Sequence, residues 1–104
     1  DYADFEKQMA DKANFAEYIQ ISDLLERDDY YKTDTHWRQE KITDVAQRLA
    51  QAMGTGISQD YEIHTLEQDF YGVYHGQAAL PLPPDKLLYV TGQDINNCKT
   101  YNWQ

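Results

Sequence analysis

A chain of 104 residues has room for one domain with a modest core, and a hydrophobic fraction of 41% excludes disorder throughout. A formal charge of −9, with only nine scattered Lys and Arg, argues against direct binding to nucleic acid or anionic lipid. Cys98 is the sole cysteine, which excludes an internal disulfide and a cysteine-based zinc site, and no segment nears the roughly 18 apolar residues of a membrane span. The chain opens on Asp1 in helical-looking sequence with no signal-peptide pattern, as expected of a mature fragment. Residues 4–13 set Phe5, Met9 and Ala13 at helical spacing with acidic residues early, and Asn14 breaks that helix. Residues 16–21 alternate and predict a short strand. Ser22 then caps a single turn over 23–26, and the polar run Arg27-Asp28-Asp29 leads into Tyr30.

The clearest element is a long amphipathic helix over about 36–53. Ile42, Val45, Ala46, Leu49, Ala52 and Met53 form its apolar stripe, with Lys41, Asp44, Arg48 and Gln51 opposite. Asp34 or Thr35 supplies its N-cap, and Gly54 ends it. Residues 54–60 read as a loop, 61–66 as a strand and 70–74 as another. After the turn Pro81-Leu82-Pro83-Pro84, residues 87–91 and 98–103 make a plausible strand pair. No repeat or linker divides the chain, so the expectation is one α/β domain over 1–104.

The chemistry-bearing segment is Tyr30-Tyr31-Lys32-Thr33-Asp34-Thr35-His36-Trp37. It resembles the motif shared by the DHHW-motif family and the alginate-type polysaccharide O-acetyltransferases, both of the SGNH hydrolase superfamily. The resemblance extends to Tyr18-Ile19-Gln20-Ile21, to Asp23-Leu24-Leu25, to the amphipathic helix and to Asp69-Phe70-Tyr71-Gly72. It is tightest over residues 15–53. Thr35 departs from it, where the DHHW motif has a histidine, and so does Gln39-Glu40, where relatives place a small-residue pair.

Serine acyl transfer needs an imidazole to accept the hydroxyl proton and a carboxylate to fix that imidazole's tautomer. The resemblance implies that His36 is the base, Asp34 the orienting carboxylate and Trp37 a packing anchor, with Tyr30, Tyr31 and Trp37 as substrate contacts. The plain alternative is that Asp34 is an N-cap and His36 a surface side chain. The family's nucleophilic serine follows this motif in a strand-to-turn segment. Here the only serines are Ser22, which precedes the motif, and Ser58, in the Gly-Thr-Gly-Ile-Ser loop. The expectation is therefore a fragment of a partial SGNH-like domain, inactive alone, whose parent is an extracellular or cell-envelope enzyme moving or removing acyl groups on a glycan. The alternative is a non-catalytic glycan- or protein-binding scaffold.

His64 and His75 lack ligand spacing, so no metal site is expected, and no cofactor is implied. Gly72-Val73-Tyr74-His75-Gly76-Gln77 lacks the Lys-Ser/Thr of a phosphate loop, and the proline-rich turn has polyproline character. Phe70, Tyr71, Tyr74, Tyr89, Tyr101 and Trp103 are either a sugar-stacking set or cross-strand packing. Strands lacking their partners leave open edges, which predicts a homo-oligomer.

Overall fold

The computed structural model describes residues 1–102 and shows a mixed α/β fold with four helices and a two-stranded antiparallel sheet. Helix α1 spans Tyr2–Lys12, with Asp1 accepting the Ala3 N–H at its start and Lys12 in its last turn. None of its residues is buried. It is tethered through Glu6, which accepts hydrogen bonds from the Ser22 hydroxyl and the Gln20 amide. That tether takes Ser22 away from capping: its own 3-10 turn, Ser22–Leu24, starts without a side-chain cap. The strand expected over 16–21 does not form. Alternation makes a strand only where a neighbour completes the hydrogen-bond ladder, and none lies there.

The long helix is also shorter than its pattern. A 3-10 turn over Gln39–Lys41 precedes helix α2, Thr43–Ala52, whose N-cap position is Ile42 rather than Asp34 or Thr35. The backbone of the preceding residues is bonded elsewhere. Tyr30 and Trp37 form an antiparallel bridge, the Tyr31 N–H donates to the His36 carbonyl, and the Arg38 N–H donates to the Asp29 carbonyl. Those bonds draw residues 30–37 into a closed loop, which cannot also be the first turns of a helix. Gln39 and Glu40 are bound sideways as well: Gln39 Oε1 accepts the Val90 N–H at 3.0 Å, and Glu40 pairs with Arg38 at 2.7 Å. At the other end Gly54 adopts φ +75 and closes the helix as its position implies. Of the expected stripe only Val45 is buried, joined by Ala50, while Met53 is 76% exposed.

Strand β1, Tyr61–Phe70, pairs with β2, Asp85–Gly92, in a register running from Tyr61↔Gly92 to Phe70↔Asp85, with an irregularity between Thr65 and Asp69. The expected strand over 70–74 is instead the end of β1, a turn at Gly72 and the short helix α3, Val73–Gln77. The expected pairing of 87–91 with 98–103 is also absent. Residues 93–96 form helix α4, and 97–102 take no strand conformation; Trp103 lies outside the described residues. β2 finds its partner in β1 instead, across seven paired positions. The outer edge of β1 has no partner strand among the described residues. No described helix is long and apolar enough to cross a membrane.

The buried set is small and half polar. Val45, Ala50 and Val90 are its apolar members among the described residues, against Asp29, Thr33, Asp34 and Asp85. Thr33 is the most enclosed, with no exposed surface. The fold is thus tightest in the middle of the loop that carries Asp34 and His36.

Candidate active site

Two neighbours hold that loop. The start of β2 supplies Asp85, whose Oδ2 accepts the Thr33 N–H at 2.8 Å and the Thr33 hydroxyl at 2.7 Å; its Oδ1 accepts the Lys32 N–H at 3.2 Å. The turn after β1 supplies three N–H groups. Gly72 donates to the Thr33 hydroxyl at 2.9 Å, Val73 to Asp34 Oδ2 at 3.2 Å, and Tyr74 to the Thr33 carbonyl at 3.0 Å. The approach is close enough to demand glycine at position 72. A Cβ there would fall 2.5 Å from Asp34 Cβ and 2.6 Å from the Thr33 carbonyl carbon, where backbone atoms cannot yield.

Asp34 and His36 are brought into contact. Asp34 Oδ1 accepts the His36 N–H at 3.1 Å and also meets His36 Nδ1. The hydrogen bond from the His36 ring holds the Asp34 carboxyl below its usual range; burial opposes this, and the His36 and Val73 N–H groups reinforce it. An ionised carboxylate only accepts, so Nδ1 carries the proton and the basic lone pair falls on Nε2. The His36 side chain is 80% exposed, and Nε2 has no partner among the described residues. An imidazole held at Nδ1 and open at Nε2 has the form of a general base waiting for a hydroxyl. Asp34 also serves as a local cap, but for the amides of His36 and Val73 rather than for α2.

Asp34 lines an open cleft of about 1050 Å³. Tyr30, Tyr31 and Tyr74 line it too, whereas His36 and Trp37 do not. Trp37 packs edge-on against Tyr30, ring centroids 6.4 Å apart, and Tyr31 packs edge-on against Phe70 at 5.2 Å. Burial, with the charge of Glu40 added, raises the Tyr31 hydroxyl above its usual range, keeping it protonated as a donor. Four of the nine Lys and Arg line this one cleft: Arg27, Lys32, Arg38 and Lys41. Their gathering was invisible in the sequence, where they lie dispersed over fifteen residues; the closed loop and the 3-10 turn bring them round.

No serine sits at His36 Nε2 among the described residues. The Ser22 hydroxyl is bound to Glu6, and the Ser58 hydroxyl accepts the Asp60 N–H at 3.1 Å. The aromatic set does not form one platform: Tyr89 stacks on His64 at 5.1 Å, Tyr71 tilts on His75 at 4.7 Å, and Tyr101 is 73% exposed. No described cluster of three or more His, Cys, Asp or Glu is placed to hold a metal. Comparison with protein-family models, curated proteins and solved structures returned no significant match.

Asp85, Thr33 and Gly72 were missed as site-builders from sequence. The one cue for Asp85 was a carboxylate at a strand start, straight after Pro84, with no helix to cap. Burial pushes the Asp85 carboxyl up, but hydrogen bonds from the Thr33 hydroxyl and the Thr33 and Lys32 N–H groups outweigh it and hold it below the usual range. A folded pKa below the unfolded value of about 4 means that the unfolded chain binds more protons there. This contribution is therefore complete above about pH 4 and is lost as pH falls through the folded pKa. Urea unfolding at pH 6 should show Asp85→Asn less stable by about 2–4 kcal/mol, as buried donors lose a charged acceptor. The gap should close progressively below pH 4. A gap that stays constant or widens toward acid would contradict this role.

Proposed function

We propose that this chain carries the base half of a serine-dependent acyl-transfer or ester-cleaving site acting on a glycan, with the nucleophilic serine supplied from outside these residues. The observation that carries the reading is the Asp34–His36 contact, which leaves Nε2 solvent-facing beside a cleft lined by Asp34. In this reading His36 Nε2 takes the serine proton as the oxygen attacks an ester carbonyl and returns it to the leaving alkoxide. Asp34 stays ionised and stabilises the imidazolium between those steps. The resemblance of Thr33-Asp34-Thr35-His36-Trp37 to the SGNH-superfamily motif supports the same assignment, and with it an extracellular or cell-envelope setting.

The cleft supports an acidic glycan in particular. With Arg38 held by Glu40, the lining side chains Arg27, Lys32 and Lys41 outnumber Asp28 and Asp34 and attract a chain of carboxylates, and Tyr30, Tyr31 and Tyr74 offer faces and hydroxyls to sugar rings. Pairing of two copies along the free edge of β1 belongs to the same proposal. A second reading, a non-catalytic glycan-binding scaffold, draws on a different observation. Both Asp34 oxygens accept backbone N–H groups, which gives the residue a structural task without any chemistry.

The deciding test is p-nitrophenyl acetate hydrolysis by the full gene product, with Asp34→Ala and His36→Ala beside it. Each variant should lower kcat at least about 10³-fold, and the 104-residue chain alone should be inert. A folded gene product with no activity, or activity untouched by His36→Ala, would move the assignment to the scaffold. Binding of oligogalacturonate should weaken with salt and fall at least about fivefold in Lys32→Gln/Lys41→Gln, a variant leaving neutral cello-oligomers unaffected. Equal affinity for the charged and neutral oligomers would remove the acidic preference. Sedimentation at high protein concentration should reveal dimers, and monomers alone would dispose of edge pairing.

A further inference from the structure

Away from the loop, α2, residues 57–61, the end of β2 and α4 line a second, open-mouthed cavity of about 320 Å³. Its lining is mainly apolar, from Ile42, Ala46, Ile57, Val90 and Ile95. Asp60 and Asp94 stand among the lining residues, and no Lys or Arg does. Charge is thus divided between the two concavities, basic around Asp34 and acidic here.

The molecule as a whole leaves more surface uncovered than its mass predicts. The chain exposes 8565 Å², whereas a folded monomer of 12.2 kDa exposes about 6,100 Å². Its radius of gyration is 16.9 Å, against about 13 Å for a compact domain of this length. The surplus of about 2,500 Å² exceeds the roughly 800 Å² that one partner gives to an interface of standard size and matches an obligate one. An apolar cavity is where such a cover gains most from desolvation.

We propose that this cavity is the docking site of a partner polypeptide segment, one that inserts two or three apolar side chains and carries Lys or Arg beside them. The apolar floor selects the inserted side chains; Asp60, with the Asp94 oxygen not taken by the Ser58 N–H, selects the flanking charge. A second copy fits poorly. It would set the same two aspartates against each other on chains of formal charge −9. The inference stands apart from the acyl chemistry, because none of these residues belongs to the Asp34–His36 site.

The test is a nuclear magnetic resonance titration with two 18-residue amphipathic peptides, one of Leu and Lys and one of Leu and Glu. The Leu–Lys peptide should shift the amides of Ala46, Ile57, Val90 and Ile95 and bind at least tenfold more tightly than its Leu–Glu counterpart. Asp60→Asn/Asp94→Asn should cut that preference at least fivefold. Ala46→Trp, which fills the cavity from an exposed helix position, should abolish the shifts while the spectrum stays folded. His36→Ala should leave all of this unchanged, so failure here and failure of the acyl-transfer reading are separable. Shifts that fall elsewhere, equal binding of the two peptides, cavity filling by hexanol with no peptide binding, or a dimer whose interface is these four residues would each overturn the proposal.

Discussion

Asp85 and Thr33 lie 52 residues apart in sequence, yet the carboxylate of one takes both the amide and the hydroxyl proton of the other. Thr33 is fully enclosed, and every polar group it owns has a partner: Asp85 from β2, and Gly72 and Tyr74 from the turn after β1. Asp34 follows directly, so its carboxylate arrives where the Val73 N–H and the His36 ring can both reach it. With three buried apolar residues among those described, apolar packing alone cannot position this loop. A buried ionised group stripped of these donors would cost several kcal/mol, so the network is either complete or strongly unfavourable. That all-or-none character suits a site in which two side chains must hold one geometry.

The sequence was informative where local chemistry decides structure. Helix α1 and the helix end at Gly54 depend on neighbours a few residues away, and spacing or composition exposes them; the contact of Asp34 with His36 is equally local, though it was the motif resemblance that suggested it. It misled where a distant partner decides. The alternation over 16–21 met no neighbouring strand, and the helical pattern before Thr43 lost its first turns to the bridge between Tyr30 and Trp37. β2 likewise turned to β1 rather than to the C-terminal segment. Around Asp34, the contact with His36 was suggested by the motif and its supports were not. Nothing local to Thr33, Gly72 or Asp85 announces that they meet, and only the antiparallel register of β1 and β2 brings them together.

Charge shows the same division between composition and placement. A chain of net charge −9 looks uniformly hostile to anions, yet Arg27, Lys32, Arg38 and Lys41 turn the cleft at Asp34 toward them. Short range makes this arrangement, rather than net charge, the field a bound ligand meets.

The separation between Thr33 and Asp85 also bears on the order in which the chain acquires its structure. Helix α2 and the loop bridge between Tyr30 and Trp37 need only short-range closures, which form quickly. The carboxylate clamp needs β1 and β2 to pair first, and closing so long a stretch carries an entropic cost that the pairing must offset. Asp34 and His36 are adjacent throughout, and the His36 N–H on Asp34 is local, but the Val73 N–H arrives with the hairpin. The full set of bonds on the dyad therefore requires the pairing of β1 and β2, although the Asp34–His36 contact itself is local.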